Sequence, residues 1–363
     1  MNLRHRTPPI LLSLLLAASA VTAQATPSDD QPRPFAANPA IEEATLVIAR
    51  APGTQLRRLE RVVDRIFSKK HGLGFEYASH PTFTAAEAFE HGRGNCLSLV
   101  NLFVAMARSA GIRAYFVEVE DFETFHRVGE SVVRSTHVVG GVTLDGRLET
   151  VDFYPGREKS YRNMRIISDD RGAAHYYNAV AAEAMLTGDL AAAEPLFRRA
   201  LALDPTLIEG WNNLALLAQR HGRTVEAIAL VEKALQQDPE FLPAIENLSG
   251  LYRVAGRTAE ARATTARVLE LKTRNPFYLL DRAREHFAAA DLDTADRLLE
   301  RAGRIEKRIS EIHLLRGRIA LVRGDEKKAN RHFARAVRFA DERPRLFQQN
   351  LEGKVDKLLL ASR

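Results

Sequence analysis

The chain has 363 residues, 45% of them hydrophobic, and a formal net charge of +6, so it can form two or three domains with sizeable cores. Its single cysteine, Cys96, excludes an internal disulfide framework. That thiol is therefore buried and inert, an intermolecular link, or present for its reactivity.

Residues 1–23 have the layout of a secretory signal peptide. Arg4 and Arg6 precede an apolar run over residues 10–20, and small residues follow that run. An uncleaved membrane anchor is the alternative, although the run is shorter than the roughly 20 apolar residues that span a bilayer. We expect an exported protein, periplasmic in a Gram-negative cell, with no stable membrane insertion and no nucleic-acid partner.

The next segment, 24–39, is rich in proline, alanine and polar residues and is predicted to be a flexible leader. Residues 40–170 are predicted to form an α+β domain, because helical periodicity gives way to strand-like runs. The predicted helices cover 41–50, 55–70, 85–91 and 96–110, and the predicted strands cover 114–119, 131–144 and 148–153. The helix over 96–110 is apolar on all sides, which predicts that it is buried, and Gly111 is placed to end it in a left-handed cap.

Two dipeptides that contain glycine lie within or between the predicted strands. Asp145-Gly146 predicts a two-residue hairpin turn, which would make facing residues sum to 291. Gly140-Gly141 is a candidate bulge that would shift this register. Residues 155–172 are polar and are expected to close the domain.

Residues 174–341 contain five copies of a 34-residue pattern, in which small residues recur at fixed offsets. The columns are Gly188, Gly222, Gly256, Ala290 and Gly324; Ala193, Ala227, Ala261, Ala295 and Ala329; and Ala200, Ala234, Val268, Ala302 and Ala336. The second copy also has Trp211, Leu214, Ala215 and Pro239 in the positions typical of a tetratricopeptide repeat. The sequence therefore predicts an all-α solenoid with one continuous core, and residues 342–363 as a capping helix and tail.

A solenoid of this kind presents a concave groove, which we expect to bind a peptide or protein partner. The histidines of this region are predicted to be surface or packing residues; they are His175, His221, His286, His313 and His332. Residues 301–363 carry 17 Lys+Arg against 8 Asp+Glu. This basic excess is either a solvated helix surface or a site for an acidic partner.

Three residues could together perform nucleophilic chemistry. Cys96 opens a predicted buried helix, where the unpaired backbone N–H groups and the helix dipole stabilise a thiolate and could hold an oxyanion. His137 lies on a predicted strand, and the expected register places it opposite Tyr154, with Asp152 as a diagonal neighbour on the same face. Such an arrangement would supply a nucleophile, a base and a group that orients the base.

The sequence around these residues resembles the transglutaminase-like superfamily. The resemblance is carried by Thr84-Ala85-Ala86-Glu87, Gly94-Asn95-Cys96-Leu97-Ser98-Leu99 and Ala107-Arg108-Ser109-Ala110-Gly111-Ile112-Arg113-Ala114, and it extends over about 82–152. It implies an α+β transglutaminase-like domain (helices plus an antiparallel sheet) in which Cys96 is the nucleophile, His137 the base and then the acid, and Asp152 its orienter. Leu97 and Arg113 depart from the residues common in the family, and neither belongs to the triad.

Two hypotheses about function follow. The first is an exported cysteine-dependent amide-bond enzyme, a peptidase, amidase or transglutaminase-type acyltransferase, whose repeats dock a protein substrate or partner. The second is a periplasmic protein-binding scaffold with a degenerate transglutaminase-like domain. No cofactor is expected, and a metal site built from Cys96, His137 and Asp152 is disfavoured because no close-spaced ligand pair supports it.

Overall fold

The structure is a computed structural model that describes residues 33–128, 131–144, 146–151 and 164–341. It has two parts: an α+β domain, which ends with the strand that finishes at Ile167, and a helical repeat region that begins at Asp169. The α+β domain contains helices α1 (Pro39–Arg50), α2 (Gln55–Phe67), α3 (Ala85–His91) and α4 (Cys96–Ser109). Its strands are β1 (Glu76–Tyr77), β2 (Arg93–Gly94), β3 (Ala114–Val128), β4 (Ser131–Leu144), β5 (Arg147–Val151) and β6 (Met164–Ile167).

Strands β3 to β6 form an antiparallel sheet in the order β5-β4-β3-β6. The pairing of β4 with β5 follows the register predicted from the two-residue turn, with Leu144 opposite Arg147 and Gly140 opposite Val151. Gly146 in that turn has φ +79°, a conformation that glycine adopts without the steric cost of a Cβ atom. The hairpin prediction is therefore confirmed for the described pairs.

The bulge expected at Gly140-Gly141 is absent, because β4 pairs with both neighbours through these residues without a shift. Close packing explains both glycines instead. A Cβ atom on Gly140 would lie 2.6 Å from Cδ1 of Phe103, and one on Gly141 would lie 2.6 Å from Cγ2 of Val117. The two glycines thus mark the two faces of the sheet, one covered by α4 and the other by a small valine cluster.

The irregularity of the sheet lies in β3, between Val119 and Glu123, where the register with β4 shifts. Strand β3 also runs well past the predicted 114–119. Strand β6 was not predicted: its four residues lie within the polar segment expected to close the domain, and they pair with β3. Four residues are too few to show a clear alternation of apolar and polar side chains.

Helix α4 is buried from Leu97 to Ala107, as its composition predicts. Gly111 follows it with φ +77°, which confirms the predicted left-handed residue after the helix. The same core includes Phe35, whose ring contacts that of Phe116 at 4.9 Å between centroids. Residue 35 thus packs in the domain, although composition assigned it to a flexible leader.

The repeat region consists of five helix pairs. The first helices of the pairs are α5 (Asp169–Thr187), α7 (Ile208–Arg220), α9 (Leu242–Val254), α11 (Pro276–Ala288) and α13 (Ser310–Val322). The second helices are α6 (Leu190–Leu203), α8 (Thr224–Gln237), α10 (Thr258–Arg274), α12 (Leu292–Ile305) and α14 (Glu326–Asp341). All five second helices begin 34 residues apart, so the predicted period is present in the structure.

The turn between the two helices of every pair contains a residue in the left-handed region. These residues are Gly188, Gly222, Gly256, Ala290 and Gly324, with φ between +62° and +89°. They form one of the columns of small residues in the 34-residue pattern of the sequence. In the fourth pair an alanine takes the conformation that glycine takes in the others.

The solenoid core is divided rather than continuous, contrary to the prediction. One apolar cluster runs from α5 to α9, a second runs from α11 to α13, and α10 between them contributes no buried residue. Helix α10 exposes Leu269, and its sequence consists mostly of alanine, threonine and charged residues, which leaves it without a stripe of large apolar side chains for either neighbour.

The α+β domain and the first helix pair share one core. Helix α5 begins at Asp169, earlier than the predicted start of the repeats at 174, and its first turns pack on the sheet. A Cβ atom on Gly172 would lie 2.8 Å from the ring of Phe116, and Ala173 and Ala174 belong to the same buried cluster. None of the helices in the described part of the chain is long and apolar enough to cross a bilayer.

Candidate functional site

Cys96 is the first residue of α4, and its thiol is half-buried. Asn95 caps the helix: its side-chain oxygen accepts hydrogen bonds from the backbone N–H and the hydroxyl of Ser98, both at 2.9 Å. The N–H groups of the first helical turn have no partner within the helix, so the thiol sits where the helix dipole favours negative charge. Within the described residues, no hydrogen bond joins the Cys96 thiol to another group.

A short segment before α3 forms one wall beside the cap. The hydroxyl of Ser98 accepts a hydrogen bond from the backbone N–H of Phe83 at 2.7 Å, and the amide of Asn95 donates to the hydroxyl of Thr82 at 2.6 Å. Gly94 permits this close approach, because a Cβ atom there would lie 2.6 Å from Cβ of Ser98. The start of α4 is therefore fixed from outside the helix as well as from within it.

Helix α4 runs beside β4 in the same direction. Phe103 packs on Gly140, and the Arg108 guanidinium donates to the carbonyl of Ala114, which pairs with Val142. From Phe103 back to Cys96 the helix covers about 10 Å. From Gly140 back to His137 the strand also covers about 10 Å. Cys96 and His137 therefore lie at the same end of the packed helix and strand.

His137 is buried, with 4% of its surface exposed, and it pairs with Val119 in β3. This is the last regular pair before the register shift in β3. Side chains of a strand alternate between faces, and Gly140 faces α4. Regular alternation therefore places His137 with Val139 on the opposite face of the sheet. The structure brings Cys96 and His137 to one level and does not show their side chains in contact.

Asp152 lies outside the described residues. Its neighbour Val151 is the last described residue of β5 and pairs with Gly140, in the register predicted from the hairpin turn. The assignment of Cys96, His137 and Asp152 as a triad thus stays a prediction, as does the absence of a metal or cofactor.

A buried charged cluster at the base of α5 was missed by the sequence analysis. Glu118 of β3 accepts hydrogen bonds at 2.5 Å from Arg165, Arg171 and His175, and Arg171 also reaches Asp204 at 2.6 Å. Burial raises the pKa of the Glu118 carboxyl, but the hydrogen bonds and charges of His175 and Arg171 outweigh burial and lower that pKa to about 2. His175, predicted to be a surface or packing residue, is a buried hydrogen-bonding partner.

The only sequence signal for this cluster was an acidic residue in an otherwise apolar strand, 114–119. Its partners come from β6, which was not predicted, and from the early turns of α5. The cluster joins the sheet, the first repeat helix and the turn after α6, so its position indicates a structural rather than a chemical role.

The first helices of the first three pairs, α5, α7 and α9, carry asparagines that are hydrogen-bonded to one another. The amide of Asn213 donates to Asn178 at 3.1 Å, and the amide of Asn247 donates to Asn212 at 2.8 Å. Strand β4, which carries His137, contacts both α7 and α9. Two of the three helices that carry these asparagines therefore contact the strand that holds the predicted base.

The basic region predicted near the end of the chain includes α14. Lys327, Arg331, Arg335 and Arg338 of this helix are exposed, and Val337 lies among them with 61% of its surface exposed. The exposure of Lys327, Arg331 and Arg335 fits the predicted alternative of an acidic partner.

Fold and site together define a two-part protein: an α+β domain with a cysteine at the start of its buried helix, and an array of paired helices. Family models assign both parts. A model described as the transglutaminase-like superfamily matches residues 47–147, and two tetratricopeptide-repeat models match 196–229 and 218–278. The chain thus carries a transglutaminase-like domain followed by tetratricopeptide repeats, as the sequence predicts.

No curated protein matches the chain. Several solved structures resemble parts of it. MamA from Desulfovibrio magneticus RS-1 is 13% identical, with 46% of this chain and 95% of MamA covered at a TM-score of 0.27. YrrB, a TPR protein with an unusual peptide-binding site, is 16% identical, covering 47% and 87% at 0.26. PilF of Pseudomonas aeruginosa is 20% identical, covering 54% and 87% at 0.27. With TM-scores this low, these likenesses do not bear on the function.

Proposed function

We propose that the chain is an exported cysteine-dependent amide-bond enzyme, a peptidase, amidase or transglutaminase-type acyltransferase. The observation that carries the proposal is the half-buried Cys96 thiol at the N-terminus of α4, within a transglutaminase-like domain. A thiolate is stabilised at such a position, and the first backbone N–H groups of the helix can hold a developing oxyanion. Export is proposed on the signal-like pattern of residues 1–23.

The proposed reaction has two halves. Cys96 gives its proton to His137 and attacks the carbonyl carbon of an amide, forming a tetrahedral oxyanion beside the Cys96 backbone N–H. His137 then protonates the leaving amine as the C–N bond breaks, which leaves a thioester on Cys96. Water or a second amine attacks the thioester, and His137 accepts its proton. The C–S bond then breaks, which releases the carboxylic acid or the new amide, and His137 returns the proton to the sulfur of Cys96. Asp152 would orient the imidazole throughout.

Contact between Cys96 and His137 requires the side chain of His137 to depart from regular strand alternation and to turn towards the α4 face of the sheet. Two observations support this: the two residues lie at one level, and the register of β3 with β4 shifts directly beside His137. Bulges next to active sites commonly re-aim side chains.

A second candidate function is a protein-binding scaffold with an inactive transglutaminase-like domain. Regular strand alternation favours it, because this places His137 on the face away from α4. In both functions the repeats bind a peptide or protein partner, and the exposed basic side chains of α14 suit an acidic one.

Thiol alkylation distinguishes the two functions, because all labelling reports on the single cysteine. The rate of reaction of the mature protein with iodoacetamide is measured from pH 5 to 10, for the wild type and for H137A. The enzyme hypothesis expects a thiol pKa well below about 8.5 in the wild type and a pKa near that value in the variant. The scaffold hypothesis expects the same ordinary profile for both proteins. C96A serves as the control for labelling elsewhere.

A further inference from the structure

Glu183 of α5 reaches from the first repeat to the segment in front of Cys96. Its carboxylate accepts two hydrogen bonds from Thr82, one from the backbone N–H at 2.9 Å and one from the hydroxyl at 2.6 Å. Thr82 is buried, and 101 residues separate the two partners in sequence. The link therefore depends on the packing of the repeat region against the transglutaminase-like domain.

A row of hydrogen bonds joins Glu183, Thr82, Asn95 and Ser98. The carboxylate at one end of this row indicates the direction of each hydrogen bond in it. A carboxylate can only accept, so the Thr82 hydroxyl must donate to Glu183. The lone pairs of that hydroxyl are then left to accept from the side-chain amide of Asn95, which donates at 2.6 Å. Because the nitrogen of Asn95 points to Thr82, its oxygen points to α4 and accepts from Ser98 at 2.9 Å.

The opposite orientation of the Asn95 amide would abolish the cap. Its NH₂ group would then face the N–H of Ser98, so that two donors would oppose each other. The cap holds the first turn of α4, and this turn contains Cys96 and the N–H groups proposed to hold the oxyanion. Glu183 thus supports, through Thr82, the orientation of the Asn95 amide that caps the first turn of α4.

We propose that Glu183 is a positioning residue for Cys96, so that the first repeat helix forms part of the machinery of the thiol site. This inference rests on the proposed function, because it assigns the repeat array a role in the reactivity of the same cysteine. A repeat array that only recruits a partner would need no such connection.

The direction in which E183Q changes the alkylation rate of Cys96 separates a positioning role of Glu183 from a purely electrostatic one. Removing a negative charge near a thiol favours the thiolate, so charge alone predicts faster alkylation in E183Q. Loss of the fixed cap predicts slower alkylation, by about 3- to 10-fold at pH 7, because the start of α4 then stabilises the thiolate less well. We expect the slower rate. A rate equal to or above that of the wild type would overturn the proposal.

Two further variants keep the test specific. T82V removes the hydroxyl between Glu183 and Asn95 and should slow alkylation to a similar extent. The double variant T82V/E183Q should be no slower than either single variant, because both substitutions interrupt the same row of hydrogen bonds. E194Q is the matched control: Glu194 lies in the same helix pair and is ion-paired with Arg198 and Arg223, away from Thr82. Equal slowing in E194Q would contradict the proposal.

Amide exchange separates failure of this inference from failure of the proposed function. A wild-type Cys96 with the alkylation profile of an ordinary thiol would refute the proposed function. The row of hydrogen bonds from Glu183 to Ser98 would then be tested by hydrogen exchange of the Ser98 amide, which Asn95 caps. We expect exchange at least about 5-fold faster in E183Q than in E194Q, since the cap protects this amide. Equal exchange in the two variants would refute the inference that Glu183 acts on the cap of α4.

Discussion

Gly140 is required by the ring of Phe103 and not by backbone conformation. Its φ is not in the left-handed region, yet a Cβ atom would lie 2.6 and 2.8 Å from two atoms of that ring. We expect G140A to lower the free energy of unfolding by about 2 kcal/mol, the usual cost of overpacking a core. Urea denaturation of the purified protein measures this.

Gly250 supplies the matched control for this prediction. It lies within α9, and nothing stands within 4 Å of the position of its Cβ atom. We expect G250A to raise the free energy of unfolding by about 0.5–1 kcal/mol, because alanine is the better helix former. Similar effects of the two substitutions would show that packing against Phe103 is not the reason for Gly140.

Ala290 is the one described residue other than glycine with a positive φ, at +62°. Relief of left-handed strain favours A290G by about 1–2 kcal/mol, while the added freedom of the unfolded chain costs about 0.4–1 kcal/mol. We therefore expect a net gain of about 0.5–1 kcal/mol in unfolding free energy. The reciprocal variant G222A, at φ +72° with open space around it, should lose about 1 kcal/mol. A loss in A290G would contradict the strain argument.

At the level of single residues, the sequence predicted the positions of turns better than it predicted which side chains bond to each other. The left-handed turns follow from glycines spaced 34 apart, and the hairpin register follows from a two-residue turn, so both are local properties. The partners of Glu118 and Glu183 lie on elements distant in sequence, and no local pattern indicates them. The face on which His137 lies depends likewise on where α4 packs, which the strand pattern alone does not reveal.

Among the secondary-structure elements, α10 is the weak member of the solenoid. The helices before it and after it belong to separate apolar clusters, and it contributes no buried side chain to either. In repeat proteins stability is carried by each repeat and by its interfaces with its neighbours. We therefore expect α5–α9 and α11–α14 to lose hydrogen-exchange protection as two separate units.

Matched truncations test this division. Leu214 of α7 is buried in the first cluster and Leu299 of α12 in the second. Each substitution to alanine should cost about 2–5 kcal/mol in its own cluster. Hydrogen exchange followed by mass spectrometry should show L214A weakening protection in α5–α9 alone and L299A in α11–α14 alone. Loss across both units from either variant would indicate a single cooperative array.

The lengths of elements were predicted well where a stop signal is local. Helix α3 and strand β4 have the predicted bounds, and Gly111 follows α4 in the predicted left-handed conformation. Helix α5 begins early because its first turn, capped by Ser168, packs on the sheet, and this packing is a tertiary effect. Similarly, β6 exists because β3 offers an edge, whereas its own four residues carry little strand signal.

At the scale of the whole molecule, Glu118 is the point at which the two parts are held together. Arg171, in the first helix of the repeats, is half-buried and shared between the buried Glu118 and Asp204. Removing one partner of a buried ion pair leaves the other charge uncompensated. We expect E118Q to lower the free energy of unfolding by about 3 kcal/mol, while E285Q, in an exposed pair with Arg282, should change it by less than about 0.5 kcal/mol.

The same carboxyl gives this effect a defined pH dependence. The pKa of Glu118 is about 2 in the folded protein and 4.5 without its partners, so its stabilising contribution is complete above about pH 4.5 and is lost as the pH falls through 2. The difference in stability between wild type and E118Q should accordingly be constant from pH 7 to 5 and shrink below pH 4.5. Urea titrations at pH 7, 5, 4 and 3 measure it. A difference that is unchanged at pH 3 would mean that Glu118 acts through its shape and hydrogen bonds, and that the junction between the sheet and the repeats does not depend on its charge.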